Sequence, residues 1–370
     1  MPTSNHLTIG FVRRRFSPGG GAEGYLKRLA AGVVAKGHRV RLYASEDWPP
    51  EEWTFGAITR AASESATSFA DEMKKLAPRT ECDVLMSLER IWRCDVYRAG
   101  DGVHRAWLER RAQVAGRWQK LSRLLNRKHA ATLALEKSLF EGGAGRVIAN
   151  SRMVRDEIMR LYGFPGEKIE VVYNGVPVDA FRPGEESRGK MREALGLKSG
   201  DIAVLFAGSG WERKGLRFAI DAVEKSAKEM RLVVAGRGDR RKFKSARAQF
   251  LGVVRDMPAL YGAADIFLLP TIYDPFSNAC LEALAAGLPV ITTGANGFSE
   301  IIESGVHGSV VDDPCGVPAL REALLFWSDQ ARRQQAHAGI LEVARGFDIS
   351  ANVERTLKIL LQSAARAAST

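Results

Sequence analysis

The feature that most constrains the fold of this chain is an alternation of short apolar strands with helical segments, which begins twice. A strand-like run at 7–12 is followed by a cluster of Pro and Gly at 18–21 and by apolar residues at helical spacing over 23–35. After a charged stretch with Gly and Pro over 174–199, the alternation begins again at 202–207. Strands that alternate with helices predict a parallel sheet with helices on both faces. The chain is therefore predicted to be an α/β protein with two doubly wound, Rossmann-like domains.

The remaining strands are predicted from β-branched and aromatic runs between turn residues. They fall at 39–44, 84–87, 96–99, 146–149, 170–173, 231–235, 249–253, 266–270, 289–293 and 309–311. We predict a first domain over 1–175, a second over 176–350, and a C-terminal helix over 351–370 that packs back on the first domain. Ligands of doubly wound sheets bind at the carboxyl ends of the strands, so a cleft between two such domains is the expected site.

The composition excludes several classes of protein. No apolar run approaches the roughly 20 residues that cross a bilayer, and the apolar run near the N-terminus precedes its arginines, the reverse of a secretory signal. The cysteines show no CxxC pair, so neither a disulfide framework nor a zinc site is indicated; they are Cys82, Cys94, Cys280 and Cys315. No Asp-x-Asp occurs, so a metal clamp on a diphosphate is not indicated either. We expect a cytoplasmic protein without a metal site.

The formal net charge of +11 is concentrated in one segment. Residues 90–128 contain eleven Lys and Arg against three acidic residues. A long helix is predicted from about 105 to 140, and in its first part apolar residues at helical spacing alternate with these cations. Trp and Leu beside many cations are typical of a helix that lies in an anionic membrane interface. The predicted membrane contacts are Trp107, Arg110, Arg111, Arg117, Trp118 and Lys120.

Other interpretations of this basic helix stay open. Its apolar stripe would also suit packing against the first domain, and its cations would suit solvent or the phosphates of an acceptor. No nucleic-acid recognition module accompanies the charge, so nucleic acid is not an expected partner. We expect peripheral attachment to the anionic, cytoplasmic face of an inner membrane.

Two glycine-containing turns join a strand to a helix and are candidate anion sites. In the first, Gly20 and Gly21 let backbone N–H groups approach a diphosphate or a sugar at a helix N-terminus. The second turn, 208–215, places Arg213 and Lys214 before a helix. Cations at this end oppose the helix dipole, which favours an anionic partner such as a diphosphate. The alternative for the first turn is that it serves only the fold. The alternative for the second turn is a helix start that faces solvent.

A strand, loop and helix in the second half carry the most informative pattern. Asp274 lies in the loop, and Glu282 lies about one turn into the helix. The N–H groups of Phe276, Ser277 and Asn278 are expected to be free at the helix start to bind an anion or a hydroxyl. A carboxylate on an otherwise apolar helix is costly to bury without a partner, and a pair of sugar or ribose hydroxyls would be such a partner.

These motifs resemble those of glycosyltransferase family 4, the retaining transferases with the GT-B fold. The stretch 274–290, an Asp-x7-Glu spacing followed by an alanine-rich helix and Gly-Leu-Pro-Val, is similar to the family's C-terminal motif. The stretches 174–183 and 252–265 also match family patterns. Within the family, the residues at 16–20 and 208–215 are most similar to lipopolysaccharide core glucosyltransferase I. The resemblance covers nearly the whole chain and implies two domains that face each other across a cleft.

The resemblance also implies a role for each candidate residue. Arg213 and Lys214 would hold the diphosphate of a nucleotide sugar, and Glu282 would bind its ribose hydroxyls. Asp274 would bind hydroxyls of the transferred sugar, while Asp101, at the end of a strand, would face the acceptor. We therefore take Asp101, Asp274 and Glu282 as the candidate catalytic residues. The further donor contacts would be Gly20, Gly21, Ser209, Val253, Val254, Phe276, Ser277 and Asn278.

The implied reaction transfers a hexose, most simply glucose from UDP-glucose, to a lipopolysaccharide core or a similar membrane glycolipid, without a cofactor. Two positions depart from the family pattern. Asp274 stands where the family has Glu, and Ser209 stands where it commonly has Arg, so the identity of the donor sugar is open. The alternatives are a family 4 mannosyl- or galactosyltransferase for another envelope polysaccharide, and a non-catalytic protein that binds nucleotide sugars.

Overall fold

The computed structural model describes residues 6–17, 21–114, 127–182 and 184–367, and these residues form two compact units. The first unit comprises Met1–Tyr173 with Ser350–Thr370, and the second comprises Asn174–Ile349. Each unit has its own sheet, in which all neighbouring strands are parallel. The limits of the units lie within two residues of the domain boundaries predicted after 175 and 350.

The first unit is built on a seven-stranded sheet with the order β3-β2-β1-β4-β5-β6-β7. Its strands are β1 (Thr8–Val12), β2 (Arg39–Ser45), β3 (Ala57–Ala61), β4 (Val84–Ser87), β5 (Cys94–Ala99), β6 (Ala144–Ala149) and β7 (Ile169–Val171). The helices between them are α1 (Gly21–Ala35), α2 (Ala66–Leu76), α3 (His104–Val114), α4 (Arg127–Ser138) and α5 (Arg152–Tyr162). This order places β1, β4 and β5 at the centre of the sheet.

The burial of each strand follows its place in the sheet. All four residues of β4 are buried, because helices cover both faces of a parallel sheet. Strand β3 at the edge is half-buried or exposed except at Ala61. The sequence did not predict β3, because an edge strand of this kind has no continuous apolar run to mark it.

The second unit is built on a six-stranded sheet with the order β10-β9-β8-β11-β12-β13. Its strands are β8 (Ile202–Ala207), β9 (Met230–Ala235), β10 (Ala248–Gly252), β11 (Ile266–Leu269), β12 (Val290–Thr293) and β13 (Gly308–Val311). Its helices are α6 (Glu185–Ala194), α7 (Leu216–Glu224), α8 (Met257–Ala263), α9 (Asn278–Ala285), α10 (Val317–Ser328) and α11 (Gln330–Arg345). Because the strands are parallel, the loops after β8, β9, β10, β11 and β12 all leave the sheet at the same edge.

The chain returns to the first unit through its last helix, α12 (Ile349–Ala367). The side chain of Val353 packs so closely on α1 that a Cβ added to Gly32 would lie 2.4 Å from it. The Asn352 amide donates a hydrogen bond to the Tyr173 carbonyl at 2.5 Å. Leu357 and Leu360 are buried on the same helix. The last helix is therefore part of the core of the first unit.

The structure describes the two ends of the long helix predicted from about 105 to 140. Helix α3 covers its beginning and helix α4 covers its end, while 115–126 lie outside the described residues. Among the residues that are described, none of the helices is both long and apolar enough to cross a membrane.

Candidate active site

Loops at the carboxyl edge of the second sheet are joined by backbone hydrogen bonds. The N–H of Ile272, after β11, donates to the carbonyl of Arg213, after β8, at 2.9 Å. The N–H of Asp274 donates at 2.9 Å to the carbonyl of Ala295, after β12. Gly215 permits the first of these approaches, since its φ is +77° and a Cβ there would lie 1.9 Å from the Pro270 carbonyl oxygen. Three loops that are distant in sequence therefore meet at one place.

The two cations predicted to hold a diphosphate lie beside Asp274. The Lys214 ammonium forms an ion pair with the Asp274 carboxylate, and both side chains are nearly buried, with 11% and 6% of their surfaces exposed. The Arg213 guanidinium donates to the Tyr273 carbonyl at 2.9 Å and lies 4.0 Å from the same carboxylate. One buried carboxylate beside a nearly buried ammonium and a guanidinium that is 36% exposed leaves a local positive charge. An anionic ligand would complete the neutralisation of this cluster.

Asn296, which the sequence did not single out, holds the loop around Asp274. Its side chain is fully buried, and its carbonyl oxygen accepts hydrogen bonds from the N–H groups of Ser277 at 3.2 Å and Phe298 at 3.1 Å. Its amide donates to the Thr292 hydroxyl at 3.0 Å. The expectation that the Ser277 N–H is free for a ligand is therefore wrong. That expectation considered only the geometry of the helix start. The hydrogen-bond partner of the Ser277 N–H is Asn296, which lies in the loop after β12.

The start of helix α9 is capped by side chains of the protein itself. The Ser277 hydroxyl accepts a hydrogen bond from the N–H of Cys280 at 3.4 Å. The Asn174 amide donates to the Phe276 carbonyl at 3.2 Å and to the Asn278 side-chain oxygen at 2.7 Å. Burial raises the pKa of the Cys280 thiol to about 12, so it stays neutral beneath the cap. These residues fix the orientation of α9, which carries Glu282.

Glu282 is half-buried on α9 and has a partner within the protein. The Tyr261 hydroxyl, on α8, donates to its Oε2 atom at 2.8 Å. Tyr261 is fully buried against Phe181, and burial raises its pKa well above the usual value, so the phenol remains a donor. The sequence suggested substrate hydroxyls as the partner of this carboxylate, and the structure adds a partner from the protein itself. Tyr261 provides one hydrogen bond whether or not a ligand is bound.

The other predicted donor contacts of the second unit lie at the same edge. Ser209 is exposed after β8, and its hydroxyl accepts a hydrogen bond from the N–H of Arg237 at 3.1 Å. Val253 and Val254 follow β10, and Val253 is 58% exposed. Val253 thus leaves an apolar side chain exposed at the same edge of the sheet as Ser209. The structure thus brings Ser209, Val253 and Val254 to the edge that holds Arg213 and Lys214.

In the first unit, Asp101 lies two residues after β5, and its side chain is 53% exposed. The Arg13 guanidinium, at the end of β1, lies 3.6 Å from the Asp101 carboxylate and 3.7 Å from that of Glu89. It also donates at 3.0 Å to Glu23 in the first turn of α1. Sequence reasoning missed Arg13, which looked like one of several surface arginines. The predicted donor contact Gly21 is the first residue of α1 and is exposed, whereas Gly20 lies outside the described residues.

The predicted membrane contacts divide into three groups. Arg110 forms an ion pair with the buried Glu157 of α5 at 3.0 Å, so its charge is used within the first unit. Trp107 is half-buried with the guanidinium of Arg111 5.8 Å from its ring. Arg117, Trp118 and Lys120 lie outside the described residues. The ion pair of Arg110 is therefore explained better by packing within the first unit than by contact with a membrane.

Two family descriptions match the chain, one in each half. Residues 19–180 match the family described as Glycosyltransferase Family 4. Residues 201–328 match the family described as Glycosyl transferases group 1. Together the two matches include Asp101 and the cluster of Arg213, Lys214, Asp274 and Glu282.

Several curated proteins with similar sequences are named as glycosyltransferases. The lipopolysaccharide glucosyltransferase WaaG of Escherichia coli (strain K12) is 27% identical over 360 residues, which are 88% of this chain and 93% of WaaG. An uncharacterized glycosyltransferase of Methanocaldococcus jannaschii is 31% identical over 178 residues, which are 44% of this chain and 46% of that protein. The chain thus matches about half the length of the archaeal relative and nearly all of the bacterial one.

Solved structures share the fold over almost the whole chain. A crystal structure of WaaG has a TM-score of 0.80 at 23% identity and covers 95% of this chain and 99% of that one. The structure of HepE from Anabaena in complex with UDP-glucose has a TM-score of 0.74 at 20% identity and covers 99% of this chain and 100% of that one. The predicted fold, two Rossmann-like domains of the GT-B type, is confirmed.

Proposed function

This chain belongs to glycosyltransferase family 4, and from that premise we propose that it transfers glucose from UDP-glucose to a lipopolysaccharide core or a similar membrane glycolipid, with retention of configuration. The similarity to a lipopolysaccharide glucosyltransferase over 93% of its length supports this acceptor. The fold shared with a protein solved with UDP-glucose supports this donor. The alternative of a catalytically silent binding protein loses support, because the matching families and several curated relatives are glycosyltransferases.

The observation that carries the proposal is the buried ion pair of Lys214 and Asp274 with Arg213 beside it. Two cations with one carboxylate suit a ligand that brings negative charge at one end and hydroxyls at the other. The diphosphate of a nucleotide sugar would interact with Lys214 and Arg213, and the hydroxyls of its hexose would hydrogen-bond to Asp274. Charge that develops on the leaving phosphate would then be offset in a site with little water.

The proposed reaction needs no protein nucleophile. The bond between C1 of the hexose and the β-phosphate oxygen breaks, and the acceptor hydroxyl oxygen forms the new bond to C1 on the same face. The acceptor proton passes to the departing phosphate oxygen. Glu282 would hold the ribose, and Asp101 of the first unit would bind the acceptor. The side chains position the reactants and stabilise charge, which accounts for large rate effects without covalent catalysis.

The donor and the absence of a metal requirement are tested by one assay. We expect UDP release from UDP-glucose in the presence of lipopolysaccharide that lacks its outer core, at the same rate with and without EDTA, because Arg213 and Lys214 would supply the positive charge. A panel of nucleotide sugars serves as the comparison. Faster turnover of UDP-galactose or GDP-mannose would favour the alternative hexosyltransferases, and loss of activity in EDTA would contradict metal-independent transfer.

A membrane-borne acceptor also requires contact with a lipid surface, for which the basic segment is our candidate. Since Arg110 is paired with Glu157, the testable cations are Arg111 and Arg117. Each cation near an anionic surface contributes about 1 kcal/mol, so replacing both with Gln should weaken binding to phosphatidylglycerol vesicles about 30-fold.

Sedimentation with the vesicles measures this difference. Replacement of Lys225 and Lys228 with Gln removes the same charge from an exposed part of the second unit and should leave vesicle binding nearly unchanged. Equal losses in the two double variants would mean that net charge, rather than the basic segment, determines binding.

A further inference from the structure

Glu136, on α4, is a fully buried carboxylate in the first unit. Its Oε2 atom accepts hydrogen bonds from the Arg90 guanidinium at 3.1 Å and from the N–H of His104 at 2.6 Å. Its Oε1 atom accepts from the N–H of Arg105 at 3.0 Å and from the Tyr162 hydroxyl at 2.7 Å. A buried charge is tolerated only when it is paired and hydrogen-bonded in this way. The carboxylate therefore holds each of its four partners in place.

Two of these partners are the first backbone N–H groups of α3. Such groups lack partners within their own helix, and a carboxylate is favourable there because of the helix dipole. The usual cap is a side chain that immediately precedes the helix, but here Glu136 reaches the helix start from another helix, 32 residues later in sequence. Helix α3 therefore has its starting point fixed by α4.

The same ion pair holds the segment that carries Asp101. We call residues 100–103, between β5 and α3, the acceptor loop. The Arg90 guanidinium, which is paired with Glu136, also donates to the Gly102 carbonyl at 2.8 Å. On the other side of Asp101, the Asn150 amide donates to the Gly100 carbonyl at 3.2 Å. Asp101 is exposed, but the residues on both sides of it are fixed by buried side chains.

Burial and nearby charges keep two neighbours of this ion pair, His104 and Tyr162, in their neutral forms. Burial lowers the pKa of His104 to about 4, with the nearby Arg90 contributing, so its ring is neutral where it contacts His129. Burial, together with the Glu136 charge, raises the pKa of Tyr162, so its hydroxyl stays a donor. The His104 ring and the Tyr162 hydroxyl thus add no charge to the ion pair of Arg90 and Glu136.

We propose that Arg90 and Glu136 are positioning residues for acceptor recognition: their buried ion pair fixes the acceptor loop and thereby the place of Asp101. The inference rests on the proposed function, in which Asp101 binds the acceptor. Neither residue touches a reacting atom. A group that must be placed within a fraction of an ångström loses efficiency when the backbone that carries it can shift.

Glu136→Gln tests the proposal with little change in shape. A Gln side chain has one acceptor oxygen and an amide that donates, so it cannot accept from all four donors. With lipopolysaccharide lacking its outer core as the acceptor, we expect its KM to rise about 10-fold or more. The dissociation constant of UDP, measured by calorimetry, should change less than about twofold, because the predicted donor residues of the second unit are untouched. Unchanged acceptor kinetics in a folded Glu136→Gln variant would overturn the proposal.

Two further variants separate positioning from stability. Arg90→Lys keeps the charge but cannot donate to Glu136 and Gly102 in the same planar arrangement, so we expect a smaller rise in the acceptor KM. Glu170→Gln breaks a different ion pair of this unit, that with Arg146 at 2.9 Å, and should leave the acceptor KM unchanged. If Arg90→Lys and Glu136→Gln lower the Tm but leave the acceptor KM unchanged, the ion pair only stabilises the fold and the proposal is wrong. Wild-type protein that turns over no donor would instead refute the proposed function.

Discussion

Replacing Lys214 with Ala should lower kcat/KM for the nucleotide-sugar donor by about 10²- to 10³-fold, the range found when one group that stabilises developing charge is removed. Asp274 would lose its closer ion-pair partner while it remains buried, and only the Arg213 guanidinium at 4.0 Å would be left. Breaking a buried pair in this way should also lower the free energy of unfolding by about 3–5 kcal/mol. Both effects have the same cause, a buried carboxylate that has lost its closest cation where an anion must bind.

The two effects of this change can be separated by a second substitution. In Lys214→Ala with Asp274→Asn, the buried negative charge is gone, so much of the lost stability should return while the activity stays low. Steady-state kinetics and thermal unfolding measure the two quantities. Lys228→Ala, at an exposed position of the same unit, is the control and should resemble the wild type. Donor turnover by Lys214→Ala at the wild-type rate would remove Lys214 from the site.

Replacing Glu282 with Ala should raise the dissociation constant of UDP about 100-fold or more, since each hydrogen bond to a charged group contributes about 1.5–3 kcal/mol and two ribose hydroxyls are involved. Tyr261→Phe removes only the phenol that donates to Glu282. Its expected effect is about 5- to 10-fold, because the carboxylate remains in place.

Calorimetry with UDP measures this graded series, and Glu193→Ala, at an exposed position on α6, is the matched control. A graded loss, larger for Glu282→Ala than for Tyr261→Phe, would support the proposed contact with the ribose. Equal UDP affinity in wild type and Glu282→Ala would show that Glu282 supports the fold of α9 rather than the ligand.

Sequence reasoning predicted the carboxyl edge of the second sheet well, because the pattern there is local. The strands before Arg213 and Asp274 are continuous apolar runs, and the turns after them contain Gly, Pro and charged residues. Alternation of this kind predicts where parallel strands end, and hence which loops share an edge. The match of the whole chain to solved structures confirms the fold that was inferred this way.

The partners of the predicted residues could not be predicted, because they are brought together only by the fold. Tyr261 lies 21 residues before Glu282, and Asn296 lies 19 residues after Ser277. Nothing in their local sequence distinguishes them from other buried or turn residues. The same holds for Arg110. Its charge suggested contact with a membrane, but the fold pairs it with Glu157.

The path of the chain through its two units has a consequence for biosynthesis. The second unit is continuous in sequence, from Asn174 to Ile349, whereas the first unit needs both ends of the chain. During translation, the central region can leave the ribosome complete while α1 still lacks Val353 against Gly32. The N-terminal half should therefore reach its final state only after the residues of α12 have been synthesised. A premature stop codon shortly before position 350 would be expected to damage the half of the protein that was made first.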